Sequence, residues 1–137
     1  MRTAIDSNVF SAIWSAEASA TRLITQLGEA RQAGALLISP FVFAELHAYP
    51  GAAEAFIREF LAATGVVVDL RLEERIWNET GKRFALYAAR RRRSSGTGPK
   101  RLLADFLIGA HALVHADRLL TLDPQRYSKD FPEVPLM

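Results

Sequence analysis

Residues 101–123, RLLADFLIGAHALVHADRLLTLD, join a helix signal to a strand signal and place two carboxylates where packing gives little reason for either. Positions 102–116 are apolar on nearly every face, as in a helix buried on most sides, yet Asp105 sits among them. A carboxylate taken out of water must be paired, protonated or bound to a cation, because an isolated buried charge costs several kcal/mol. Arg101 is one helical turn earlier, but a cation on the N-terminal side of its acid is the weaker order and gains only about 0.2–0.5 kcal/mol. Asp117 and Arg118 turn the chain, and the run LLTL at 119–122 reads as a short buried strand ending at Asp123-Pro124. A helix delivers one acid and the end of the next strand delivers another.

Upstream, the same alternation repeats. Thr3-Ala4-Ile5 reads as a strand, followed by Asp6, Ser7 and Asn8, three side chains able to cap a helix beginning near Val9. Apolar spacing over 10–33, broken at 15–19, predicts two helices closing at Gly34. Residues 35–38 (ALLI) form the second strand, and Ser39-Pro40 is a helix start with serine as cap and proline at the first helical position. The helix that follows, 41–47, embeds Glu45 among apolar side chains until Pro50-Gly51 ends it. Residues 51–64 read as a helix with Ala55, Phe56, Phe60 and Leu61 inward, and Val66-Val67-Val68 as a short buried third strand. Residues 72–93 are a long helical segment anchored by Ile76, Trp77, Phe84 and Tyr87, with Gly81 as a place to bend or divide. Only 94–99 has loop composition; beyond Asp123, residues 124–132 read as a turn with a little helix and 134–136 as a poor edge strand.

Strands alternating with helices imply an α/β fold: one domain over 1–137, with a mainly parallel central sheet of four or five strands flanked by helices. At 137 residues the chain is long enough to bury a core without staples. It has no cysteine, which excludes disulfides, thiolate metal sites and a cysteine nucleophile. No apolar run approaches the ~20 residues of a membrane span, and Asp6 interrupts any leader, so a cytoplasmic protein is expected. The formal net charge is +2, but Arg90, Arg91, Arg92 and Arg93 lie close to Lys100 and Arg101, which favours an anionic partner. That run reads equally as a helix end favoured by the macrodipole and as a track for phosphates.

In parallel sheets ligands gather beyond the C-terminal strand ends, where Asp6 and Asp123 fall with Glu45 just past a third. Asp6 and Asp123 each have a simpler reading as helix caps, and for Asp123-Pro124 it is a good one. For Asp6 it is weaker, because Ser7 and Asn8 offer the cap without burying a charge. Four acids brought together repel, and a cation relieves the repulsion. An all-oxygen set suits Mg²⁺ or Mn²⁺, which commonly take one or two carboxylates, waters and a substrate phosphate. The chemistry implied is phosphoryl transfer or nuclease action by a metal-activated water, without a covalent intermediate. His111 and His115 have zinc-ligand spacing, but Ala112 replaces the glutamate of a zinc-protease motif, and Asp105 lies about 240° around the helix from His111. Residues 94–101 lack the phosphate-loop spacing.

The order of these residues resembles the PIN-domain ribonucleases, most closely the VapC-type toxins of toxin–antitoxin pairs. The resemblance rests on Ile5-Asp6-Ser7-Asn8, on Pro40 to Glu45, on Asp105-Phe106-Leu107-Ile108-Gly109-Ala110-His111-Ala112 and on Leu120-Thr121-Leu122-Asp123. It implies Asp6, Glu45, Asp105 and Asp123 as metal-binding and catalytic acids, with Asn8 and Thr121 supporting them by hydrogen bonds. It also implies Mg²⁺ or Mn²⁺ as cofactor, RNA as substrate, a homodimer and a cognate antitoxin, for which Phe10 and Trp14 are expected to line a groove. The fourth acid varies in the family. A haloacid-dehalogenase pattern would need an aspartate at Asn8, and a receiver domain would need an acid at Ser7. A non-catalytic RNA-binding or protein-interaction module of the same fold is the remaining alternative.

Overall fold

The computed structural model describes residues 1–98 and 100–137; the expected loop at 94–99 thus has its last residue, Pro99, outside the described residues. Strand β1 is Thr3–Ile5, followed by α1 (Ser7–Trp14) and α2 (Ala20–Ala33). Then come β2 (Leu36–Ile38), α3 (Pro40–Leu46), α4 (Glu54–Thr64) and β3 (Val66–Val68). Helices α5 (Glu74–Arg93) and α6 (Leu103–His115) precede β4 (Arg118–Leu120) and the short α7 (Gln125–Ser128). The four strands form one parallel sheet in the order β3-β2-β1-β4. A lone parallel bridge from Leu119 to Leu136 is all that comes of the expected C-terminal edge strand.

Local chemistry accounts for the element ends. Ser39 Oγ accepts from Val42 N–H at 3.2 Å with Pro40 at the first helical position. Gly65 ends α4 at φ 73°, in the left-handed region that favours glycine. Helix α1 begins earlier than expected, because Asp6 itself is the cap and accepts from Ser7 N–H at 2.8 Å. Gly81 neither bends nor divides α5, which runs unbroken with Gly81 facing open space.

The core lies between the sheet and its helices: Ile5, Ile38, Leu119 and Leu120 from the strands meet Val9, Phe10, Ile57, Ile76 and Phe106. Several expected anchors are on the outside instead. Helix α4 buries Ile57 and Leu61 while Phe56 is exposed, and Trp77 on α5 is also exposed. The central residue of β3, Val67, is 62% exposed, because β3 is an edge strand and not the buried one its composition suggested. Phe84 and Tyr87 hold α5 to α6 through Phe106, with ring centroids 5.2 and 5.4 Å away. Gly109 then admits the C-terminal segment to α6, since any Cβ there would overlap the Phe131 ring. This close approach sets α7 over the first turn of α6.

Candidate functional site

Parallel pairing of β1 with β4 sets Ile5 opposite Leu120, and Asp6 N–H donates to the Leu120 carbonyl at 2.9 Å. Asp6 and Thr121 therefore leave the sheet side by side. The Thr121 hydroxyl donates to Asp6 Oδ2 at 2.9 Å and accepts from the Asn8 side-chain amide at 3.3 Å and from Asp123 N–H at 3.0 Å. Asn8 Oδ1 in turn accepts from Leu122 N–H at 3.2 Å. A second hydroxyl, that of the buried Tyr127, also donates to Asp6 Oδ2 at 2.9 Å. Asp6 is fully buried yet amply hydrogen-bonded. Burial raises its pKa, and the bonds from Tyr127 and Thr121 pull only part of the way back.

Glu45 comes from α3, and its Oε1 accepts from the Oγ of Ser7, the residue next to Asp6, at 3.2 Å. The residue is exposed, which corrects the expectation that it is embedded among apolar side chains; α3 buries Val42 and Leu46 and turns Glu45 outward. Its carboxyl is nonetheless sheltered enough for burial to raise its pKa, with the charges of Asp6 and Asp105 pushing the same way and the Ser7 bond opposing them. Asp105 stands in the first turn of α6, where its Oδ2 accepts from Leu102 N–H at 3.1 Å. Its other oxygen, Oδ1, lies 3.5 Å from the Arg126 guanidinium. Arg101 is not its partner: that guanidinium donates to the Gln125 carbonyl at 3.3 Å. The last strand stops at Leu120, short of the expected end at Leu122, so Asp123 lies in the turn beyond it. There it accepts from Arg126 N–H at 3.3 Å as a cap on α7. Its Oδ2 is 3.3 Å from Arg126 Nε.

Arg126 thus stands between Asp105 and Asp123. Burial opposes its charge, but Asp105, Tyr127, Asp6 and Asp123 together hold its pKa above the ordinary arginine value. Among the described residues no three Asp, Glu or His side chains are grouped closely enough to hold a metal ion. The expected cage of four acids is not formed in this arrangement. Glu45 feels the charges of Asp6 and Asp105, while a guanidinium supplies the cation shared by Asp105 and Asp123. The oxygen donors suit a hard divalent ion.

The two histidines have separate duties. His111 lies 3.2 Å from Asp69 and His115 meets Glu73, which ties α6 to the chain between β3 and α5. The basic run is likewise divided: Arg90 pairs with Asp130, Arg91 donates to the Gly98 carbonyl at 3.0 Å, and Arg92 and Arg93 are exposed. The expected groove residues also differ. Phe10 is fully buried, and Trp14 sits within 5.2–6.0 Å of the Phe10, Tyr49, Phe56 and Phe60 rings as part of an aromatic cluster. Arg126 and Tyr127 were missed by sequence reasoning. The legible hint was the Asp123–Arg126 spacing of three in a short helix.

A family model described as PIN domain matches residues 3–132. The chain belongs to the PIN-domain family. Among solved structures, this PIN domain is similar to VapBC2 from Rickettsia felis bound to a DNA fragment from its promoter, at 19% identity and TM-score 0.72 over 100% of this chain and 98% of that one. It is also similar to VapBC-1 from nontypeable Haemophilus influenzae, at 20% identity and TM-score 0.63 over 100% of this chain and 97% of that one. No curated protein matches this PIN domain in sequence. Among the described residues no helix is long and apolar enough to cross a membrane.

Proposed function

We propose that this PIN domain is a metal-dependent endoribonuclease and the toxin of a toxin–antitoxin pair. What supports the reading is that Asp6, at the C-terminal edge of a parallel sheet and held by Thr121 and Tyr127, lies near enough to Glu45, as Asp105 does, for Glu45 to feel both charges. A divalent Mg²⁺ or Mn²⁺ bound by these acids would supply an activated water and offset charge on the phosphate. The chain's own part is to fix the ligands. Asp6 is oriented by two hydroxyls, Glu45 by Ser7 and Asp105 by the first turn of α6. Thr121 is itself oriented by Asn8, so Asn8 acts through it. Asp123 is the least committed acid because it already caps α7.

The similarity to VapBC structures supports an antitoxin as partner, and a homodimer is part of the same proposal. An apolar groove of about 360 Å³, lined by Ile13, Ile24, Leu27 and Phe60, is open on the face of α2 and α4 and suits an amphipathic segment. The test is incubation of purified protein with single-stranded RNA and DNA of one sequence, with Mg²⁺ or Mn²⁺ and with chelator. Cleavage of RNA that needs the ion, and is lost in Asp6→Asn, supports the reading. Binding without cleavage favours the non-catalytic module, for which Arg126 already satisfies Asp105 and Asp123.

A further inference from the structure

A cavity of about 250 Å³ lies between the end of α5 and the start of α7, and four cationic residues are in its wall. Arg90, Arg91, Arg101 and Lys129 line it against a single carboxylate, Asp130, which Arg90 already neutralises. Arg91 and Arg101 spend their contacts on neutral carbonyls, those of Gly98 and Gln125. Among the described residues neither they nor Lys129 form an ion pair. Three like charges facing one cavity with no acid to offset them favour an anion. The volume is below the roughly 300–1,000 Å³ of a pocket for a whole small molecule, so it suits a group such as phosphate.

The position says which phosphate. Arg101 directly precedes Leu102, whose N–H holds Asp105, and Gln125 directly precedes Arg126, which pairs with Asp105 and Asp123. Two residues of the cavity wall, Arg101 and Gln125, are thus each one position from a residue that contacts the acids. We infer that Arg91, Arg101 and Lys129 form a notch for a backbone phosphate of the RNA strand, next to the one presented to the acids. This rests on the nuclease reading for its ligand and accounts for part of the basic run. Arg91 serves the notch, Arg90 braces the Asp130 turn, and Arg92 stays outside it.

The test is fluorescence anisotropy of a short single-stranded oligoribonucleotide with the full chain in chelator, over a series of salt concentrations. Arg101→Gln with Lys129→Gln should weaken binding about tenfold and lower the slope of log affinity against log salt by about 0.7 for each phosphate left without its cation. Lys129→Gln alone, which breaks no internal bond, should give about half that change in slope and guards against misfolding. Arg22→Gln with Arg58→Gln, on α2 and α4, should leave the slope as it is. An unchanged slope in the notch variants, or an equal fall in the α2 and α4 control, overturns the notch. Cleavage with Mg²⁺ is scored separately: cleavage with an unchanged slope removes the notch alone, and a notch-dependent slope without cleavage removes the nuclease reading alone.

Discussion

The Tyr127 hydroxyl donates to Asp6 Oδ2 at 2.9 Å, so a residue of the last short helix holds the carboxylate that ends the first strand. Tyr127→Phe should fold and lose about 1–3 kcal/mol at neutral pH, the usual worth of a hydrogen bond to a charged group. Burial raises the Asp6 pKa, so the ionised carboxyl opposes folding at neutral pH and that penalty fades as pH falls through the raised value. Losing the Tyr127 donor raises the pKa further. The deficit of Tyr127→Phe, followed by denaturant melts, should therefore shrink toward acid pH; one that grows there contradicts the contact.

Arg126 supplies the cation for Asp105 and Asp123. Arg126→Ala should melt lower than wild type in chelator, by about 1–2 kcal/mol for a partly exposed pair. With excess Mn²⁺ it should gain more stability than wild type, because metal no longer competes with a guanidinium. Equal metal responses in the two proteins would show that Arg126 does not occupy the ion's place.

Asp69 receives Arg71 Nε at 2.8 Å and Arg71 N–H at 3.1 Å, and the Arg71 bond lowers its pKa to about 2. A depressed carboxyl stabilises the fold above its ordinary value near 3.8, and this contribution is lost as pH falls toward about 2. Asp69→Asn should lower the melting temperature at neutral pH by a few degrees and remove that part of the acid transition. His111, 3.2 Å from Asp69, has its pKa lowered by burial, so the neutral ring is expected to persist through the physiological range.

Ile24 is 56% exposed in the apolar groove and far in sequence from the acids. Ile24→Asp should abolish co-purification with the product of the neighbouring gene and leave RNA cleavage intact. Trp14→Ala is a poorer probe: its four aromatic neighbours predict a loss of about 3 kcal/mol of fold stability, whatever binds the groove.

Order and type of elements were legible because periodicity and punctuation agree locally, as at Ser39-Pro40 and at Gly65. Exposure was less legible. Val66, Val67 and Val68 have the composition of a central strand, and only the sheet order makes β3 an edge. The position of Asp6 followed from the end of the first strand, and Asn8 and Thr121 were expected from the family resemblance alone, but the partner of Asp105 followed from neither. Sequence offers Arg101 at close range, whereas Arg126 arrives from α7, which the Gly109–Phe131 approach brings down onto α6. Contacts of that range leave no periodic trace.

The most direct measurement is cleavage of a mixed RNA pool by purified wild type and Asp105→Asn, each with chelator and with excess Mg²⁺ or Mn²⁺, with both proteins shown to be folded by circular dichroism. Wild type should cleave only with the ion and Asp105→Asn in neither condition, because the amide keeps the shape of the side chain and removes the charge a metal needs. Cleavage by Asp105→Asn near the wild-type rate, or equal cleavage by wild type in chelator, would contradict a metal centre built on Asp6, Glu45 and Asp105.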